Sequence, residues 1–225
     1  MRSIYEQALG ADFAKLHPRI QQRFGFSSQD RTASIGSGVM HHIWYNKLVA
    51  LPLFFGTLRH IMFPKGGTNI PFSIENFAYK DHYGRETVTW IRKFQFTRSV
   101  QYFDATMVYS GERERIVDYL GNQQHLAVDL EISVSENGGI KICSGDQRFY
   151  EGWLQFKCPN VLTGKAEVNE WYDDQESCYK ITVEVRNPIM GRVFHYVGSF
   201  QAAFITTDSE SIPIGIRPLR EEKRE

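Results

Sequence analysis

Tyr179-Lys180-Ile181-Thr182-Val183-Glu184-Val185-Arg186, the turn Asn187-Pro188-Ile189-Met190-Gly191 and the run Val193 to Thr206 decide how the chain is read. In the first segment Tyr179, Ile181, Val183 and Val185 alternate with Lys180, Thr182, Glu184 and Arg186. That is the period of two expected of a strand with one face buried and one in water. The second segment places Phe194, Tyr196, Phe200 and Phe204 on one face, opposite Val193, His195, Val197, Ser199 and Gln201. Neither of its faces is simply polar, which predicts a strand between a packed layer and a cavity.

Working back from this hairpin, the same signals recur. Leu126, Val128, Leu130, Ile132 and Val134 alternate with Ala127, Asp129, Glu131 and Ser133, and Glu136-Asn137-Gly138-Gly139 turns the chain into Ile140 to Arg148. Val88, Trp90, Arg92, Phe94 and Phe96 share one face of an earlier strand. About ten short strands joined by tight turns predict a mainly β domain, a strongly curved antiparallel sheet or calycin-like barrel. A helix-grip sheet wrapped around one helix is the alternative, although it usually carries a long C-terminal helix. The segment Phe149 to Thr163 is irregular by pattern and is expected to form a flap across the barrel mouth.

Helices are expected in two places. Tyr5, Leu9, Phe13, Leu16 and Ile20 recur at three- and four-residue steps, so residues 3–24 form a helical lid, broken or restarted at Pro18. Lys47 to Phe63 is the most apolar stretch, with Leu48, Leu51, Phe55, Leu58 and Met62 on one stripe; Phe54, Ile61 and Phe63 lie off it. That helix is expected in the core, or else against a protein partner or a membrane surface. The domain spans 1–207, and 208–225, ending Arg220-Glu221-Glu222-Lys223-Arg224-Glu225, is expected to be a flexible charged tail.

Composition narrows the function. The 225 residues carry 26 Lys and Arg against 26 Asp and Glu, so no net field gathers nucleic acid, which is not expected as a partner. Hydrophobic residues make up 42% and aromatics 14%, enough for a large core. The N-terminus lacks a signal-like apolar run, and no segment is long and apolar enough to span a bilayer. Three scattered cysteines, Cys143, Cys158 and Cys178, form no metal-like pair and point to a reduced, cytoplasmic, soluble protein. No nucleotide, metal or nucleophile-elbow motif is present, so no cofactor is expected. His41-His42 cannot chelate one ion, because neighbouring strand residues point to opposite faces. Asp173-Asp174 and the pair Asp129 and Glu131 read as solvated carboxylates.

Arg92 stands apart, because a guanidinium on an otherwise apolar face is costly unless something answers it. That partner is either a buried carboxylate of the protein or the polar end of a ligand. Trp90, Asn76, Tyr102, Tyr196 and His195 are the other candidate ligand-binding groups, polar or aromatic positions on strands of apolar neighbours. The reading is a non-catalytic cup for a small hydrophobic or amphipathic ligand. Two others remain open: an acid–base enzyme using His41 or His195 with Arg92, and an interaction module whose helix 47–63 docks on a membrane or protein partner.

Ile4-Tyr5-Glu6-Gln7-Ala8-Leu9-Gly10 with Phe13 and Leu16-His17-Pro18, then Gly36-Ser37-Gly38, Trp90 with Arg92 and Phe94, and Asn187-Pro188-Ile189 with Gly191, Tyr196 and Gly198 carry a resemblance. Over nearly its whole length the chain resembles the bacterial family catalogued as domain of unknown function 4166. The resemblance implies an accessory role, since such domains also occur attached to saccharopine-dehydrogenase-like oxidoreductases and multi-pass membrane proteins. It implies no catalytic residues, and this chain has neither a nucleotide-binding nor a membrane half.

Overall fold

A computed structural model describes residues 1–159, 161, 163–207 and 212–225. The strands are β1 (Thr32–Tyr45), β2 (Gly67–Lys80), β3 (Glu86–Phe96), β4 (Ser99–Ser110), β5 (Arg115–Leu120) and β6 (Leu126–Val134). They continue with β7 (Ile140–Glu151), β8 (Leu154–Lys157), β9 (Lys165–Asp173), β10 (Cys178–Asn187) and β11 (Gly191–Thr206). Neighbours pair in the order β6-β5-β4-β3-β2-β1-β11-β10-β9-β7, and β7 returns to β6. The result is a closed antiparallel barrel of ten strands, with β8 an extra hairpin arm on β7. Closure removes the sheet edges that an open sheet would leave to other chains. The helix-grip alternative is thereby set aside.

The expected register of the last hairpin holds. Tyr179, Ile181, Val183 and Val185 face the core and pair across to Phe200, Gly198, Tyr196 and Phe194. Where β11 meets β1, the sheet bends through a bulge between Met40 and His42. A Cβ at Gly38 would lie 2.1 Å from the Ser199 carbonyl oxygen, and one at Gly198 would lie 2.3 Å from that of Val39. Only glycine permits backbones to cross that closely, so these two residues set the curvature.

One end of the barrel is plugged by the N-terminal segment, α1 (Ile4–Leu9), a 3-10 turn over Gly10–Lys15 and α2 (Pro18–Phe24). Ser3 caps α1 and Glu6 returns the bond, a capping box. Ile4, Tyr5, Ile20 and Phe24 sink into the barrel interior. The opposite end is the mouth, ringed by the β5–β6 turn, the β7–β8 arm, the β10–β11 turn and α3 (Ala50–Thr57).

Two expectations are corrected. The apolar run Lys47 to Phe63 is not one core helix: a 3-10 turn over Lys47–Val49 leads into the eight-residue α3, which buries Leu53 while Leu48, Leu51, Phe55 and Leu58 face solvent. A segment apolar all round has no preferred stripe, and this one packs by the residues outside the expected stripe, Val49, Leu53 and Phe63. The composition of 208–225 predicts a loose tail. Residues 212–225 instead form a strap over the outside of β2 to β7, and 208–211 lie outside the described residues. Ile216 joins a cluster with Ala33, Phe77, Tyr79 and Ile91; Arg85 donates to the Glu222 carbonyl oxygen and Tyr119 to that of Arg224. This covering explains why β3 is buried on both faces over most of its length. Among the described residues, no helix is long and apolar enough to cross a membrane.

Candidate functional site

Between the plug and the mouth the barrel holds a partly enclosed cavity of about 220 Å³. Its wall is mostly apolar: Met107, Leu120, Val128, Ile142, Val168 and Val183 among others, with Trp90 and Phe103 deeper in and Ile61 and Met62 at the top. Alternation along β3 and β5 brings two charged groups to this greasy wall, Arg92 beside Trp90 and Phe94, and Asp118 between Ile116 and Leu120.

Arg92 is 3% exposed. Its Nε donates to the Phe103 carbonyl oxygen at 3.0 Å and Nη1 donates to the Tyr196 hydroxyl at 3.4 Å. The guanidinium lies 3.8 Å from the centre of the Phe103 ring and 5.6 Å from that of Trp90, a cation–π setting on two sides. Among the described residues no carboxylate comes within salt-bridge distance of it, and its hydrogen bonds are the two made by Nε and Nη1. Among the described residues no internal carboxylate neutralises it directly. The nearest electrostatic response is longer-ranged, to Asp118 and Glu170.

Asp118 is the group that sequence reasoning missed. Burial pushes its carboxyl up to about 7, against the opposing pull of Arg92, and its Oδ1 is buried without a hydrogen-bond partner among the described residues. Near neutrality it exchanges between a neutral hydrogen-bond donor and an anion. The period of two in Arg115 to Leu120 already put Asp118 on the face of Ile116 and Leu120; that was the available signal.

Behind the cavity, toward the plug, lies a cluster of different character. Arg23 from α2 bonds Glu170 of β9 through Nε and Ser34 of β1 through Nη1 at 2.8 Å, with its guanidinium 4.9 Å from the Phe200 ring centre. Burial raises the Glu170 carboxyl while Arg23 draws it back. Tyr5 donates to Met107 Sδ at 3.2 Å, and burial holds its phenol well above the ordinary value. This cluster closes the floor.

The remaining sequence candidates separate. Trp90 and Arg92 line the cavity; Tyr196 is fully buried and supports Arg92 from behind. Asn76 is buried on β2 next to Trp90 in register, with no hydrogen bond to Oδ1 among the described residues, and is not part of the cavity lining. Tyr102 packs with the outer cluster and stacks on His60 at 4.6 Å. His195 alternates with the inward Phe194 and Tyr196, so it lies on the outer wall near His42, its pKa lowered chiefly by partial burial. His41 is exposed and bonds Ser199. Neither histidine reaches the cavity, so the acid–base arrangement built on them does not form. Among the described residues no group of three or more His, Cys, Asp or Glu side chains is placed to hold a metal ion.

Comparison with known proteins gives a family for the chain. Residues 16–200 match the family model described as domain of unknown function (DUF4166). The chain belongs to the DUF4166 family. A relative, the uncharacterized protein YndH of Bacillus subtilis (strain 168), is 34% identical over 205 residues, covering 89% of this chain and 97% of the relative. The DUF4166 match spans β1 to β10 and the first part of β11, and so takes in Arg92, Asp118, Glu170 and Tyr196, while α1 with Tyr5 lies before it.

Proposed function

We propose that this DUF4166 barrel is a non-catalytic binding protein for a small amphipathic molecule whose anionic or polar head meets Arg92. The observation that carries the reading is a guanidinium, buried and, among the described residues, without a carboxylate at salt-bridge distance, on the wall of a mostly apolar cavity that it shares with Asp118. A charge so placed is costly unless answered, and a guest that brings an acid answers it. A dry apolar cavity of roughly 150 Å³ already accommodates benzene, whereas sites for drug-sized ligands run from about 300 Å³. At about 220 Å³ the cavity suits a head group and a short chain. A longer tail has room in the groove beneath α3, which shares Ile61, Met62, Gly164 and Val185 with it.

The test is a titration of the purified full chain with short- and medium-chain monocarboxylic acids and their alcohols, followed by tryptophan emission, to which the cavity-lining Trp90 contributes, and by native mass spectrometry. Acids are expected to bind more tightly than the matching alcohols. Arg92→Met is expected to lower acid affinity at least tenfold, roughly the 1.5–3 kcal/mol of a charge-assisted hydrogen bond, with the circular dichroism of the fold unchanged. Equal binding of acids and alcohols, or an Arg92→Met protein that binds acids as before, overturns the assignment.

A further inference from the structure

The mouth carries a second unexplained feature, on the outside. α3 presents Leu51, Phe54 and Phe55 to solvent at 68%, 56% and 60% exposure, and the β10–β11 turn at the same end presents Ile189 at 72%. Trp153, at the tip of the β7–β8 arm, is 92% exposed. Single exposed apolar groups are ordinary, but a set gathered at one end of a barrel marks an interaction surface. The rim between these groups is continuous: Arg59 after α3 bonds Gln123, Gln123 bonds His125, and His125 pairs with Glu151 at the root of the arm.

Charge indicates what covers this surface. Between Asp30 and Glu75 the chain has no carboxylate, while Lys47 and Arg59 flank α3 and are exposed. Among the described residues neither of those two cations is paired with a carboxylate. On the neighbouring turn Glu184 is shared by Arg186 and Arg192, which leaves that side with an excess of positive charge as well. Aromatic and aliphatic side chains projecting from a cationic rim match the interface of a bilayer rich in anionic lipid: rings at the headgroup level, cations on the phosphates.

We propose that the mouth of the barrel docks on an anionic lipid bilayer through α3 and the Pro188–Met190 turn, with the Trp153 arm touching the same surface. The proposal stands independently of what the cavity holds. Docking in this pose sets the groove beneath α3 against the lipid.

The test is co-sedimentation of the full chain with vesicles of phosphatidylcholine alone and with about 30% phosphatidylglycerol, at low and physiological salt. Binding to the anionic vesicles only, weakened by salt, is expected. Phe54→Glu, at an exposed position, is expected to reduce it about tenfold or more without altering the circular dichroism, and Lys47→Glu about fivefold. Brominated lipid is expected to quench emission in the wild-type chain and much less in Trp153→Phe. Absence of vesicle binding, or equal binding to neutral and anionic vesicles, overturns the proposal. So does a dimer in solution that Phe54→Glu dissociates while vesicles are ignored; that result assigns the face to a second copy of the chain.

Discussion

The plugged end and the mouth end of the barrel each hold a sealed guanidinium, and the two are treated in opposite ways. Arg23 is met at once by Glu170 and Ser34, under helices that fill the space around it. Arg92 is given a carbonyl, a phenol and two aromatic faces, beside open volume. The same interior thus contains a charge that is neutralised locally to hold the floor and another left partly unanswered. The difference sets an end filled by helices against a wall that keeps open volume beside its charge.

The comparison is broken most severely at the floor. Arg23→Met strands the Glu170 carboxylate in the core, and chemical denaturation is expected to show a loss of about 3–5 kcal/mol. Urea melts that differ by less than about 1 kcal/mol would mean that water reaches Glu170 and that the floor is not sealed.

A smaller and opposite change is expected near the mouth. The carboxyl of Asp118 is raised to about 7 in the fold from an ordinary value near 3.8. The folded state therefore binds a proton that the unfolded chain releases, so stability from this group is fully present below about pH 4 and falls as pH rises toward 7. About 3 pK units correspond to roughly 4 kcal/mol as a ceiling. Asp118→Asn is expected to be more stable than wild type at pH 8, and to lose most of that advantage at pH 4. Parallel stability–pH curves for the two proteins would remove Asp118 as the source.

The least effect belongs to the outer surface. Phe54→Ala should shift the unfolding midpoint by no more than about 0.5 kcal/mol, while Leu53→Ala, one residue away but buried, is expected to cost about 2–5 kcal/mol. Similar losses at both positions would place α3 in the core and leave the mouth without its exposed apolar rim.

Much of this was legible in the order of residues. The alternation in Tyr179 to Arg186 supplied register and inward face, and the apolar neighbours of Arg92 predicted that it would point inside. What escaped did so for physical reasons. Asp118 and Glu170 sit at inward positions of short strands, and a period of two reports a face without saying whether a carboxylate on it is buried. Leu48 to Met62 is hydrophobic in every direction, so periodicity could not choose its buried side. Arg220 to Glu225 looks solvated by composition, yet Glu222 bonds Arg224 while its backbone meets Arg85 and Gln124. Charge pairing and hydrogen bonds to the strands outweigh the freedom of the tail.

One seam of the wall is closed differently from the rest. β7 pairs with β9 only over Ile140 to Cys143; beyond that it turns to β8, and the gap is bridged by the Ser144 hydroxyl, which accepts from Ala166 N at 2.7 Å, and by Gln147, which donates to the Gly164 carbonyl oxygen at 2.6 Å. Around the rest of the ring, among the described residues, main-chain ladders do the stitching. Here two particular side chains serve as the thread, so the width of this slit answers to single-residue change at positions 144 and 147 without re-laying a strand.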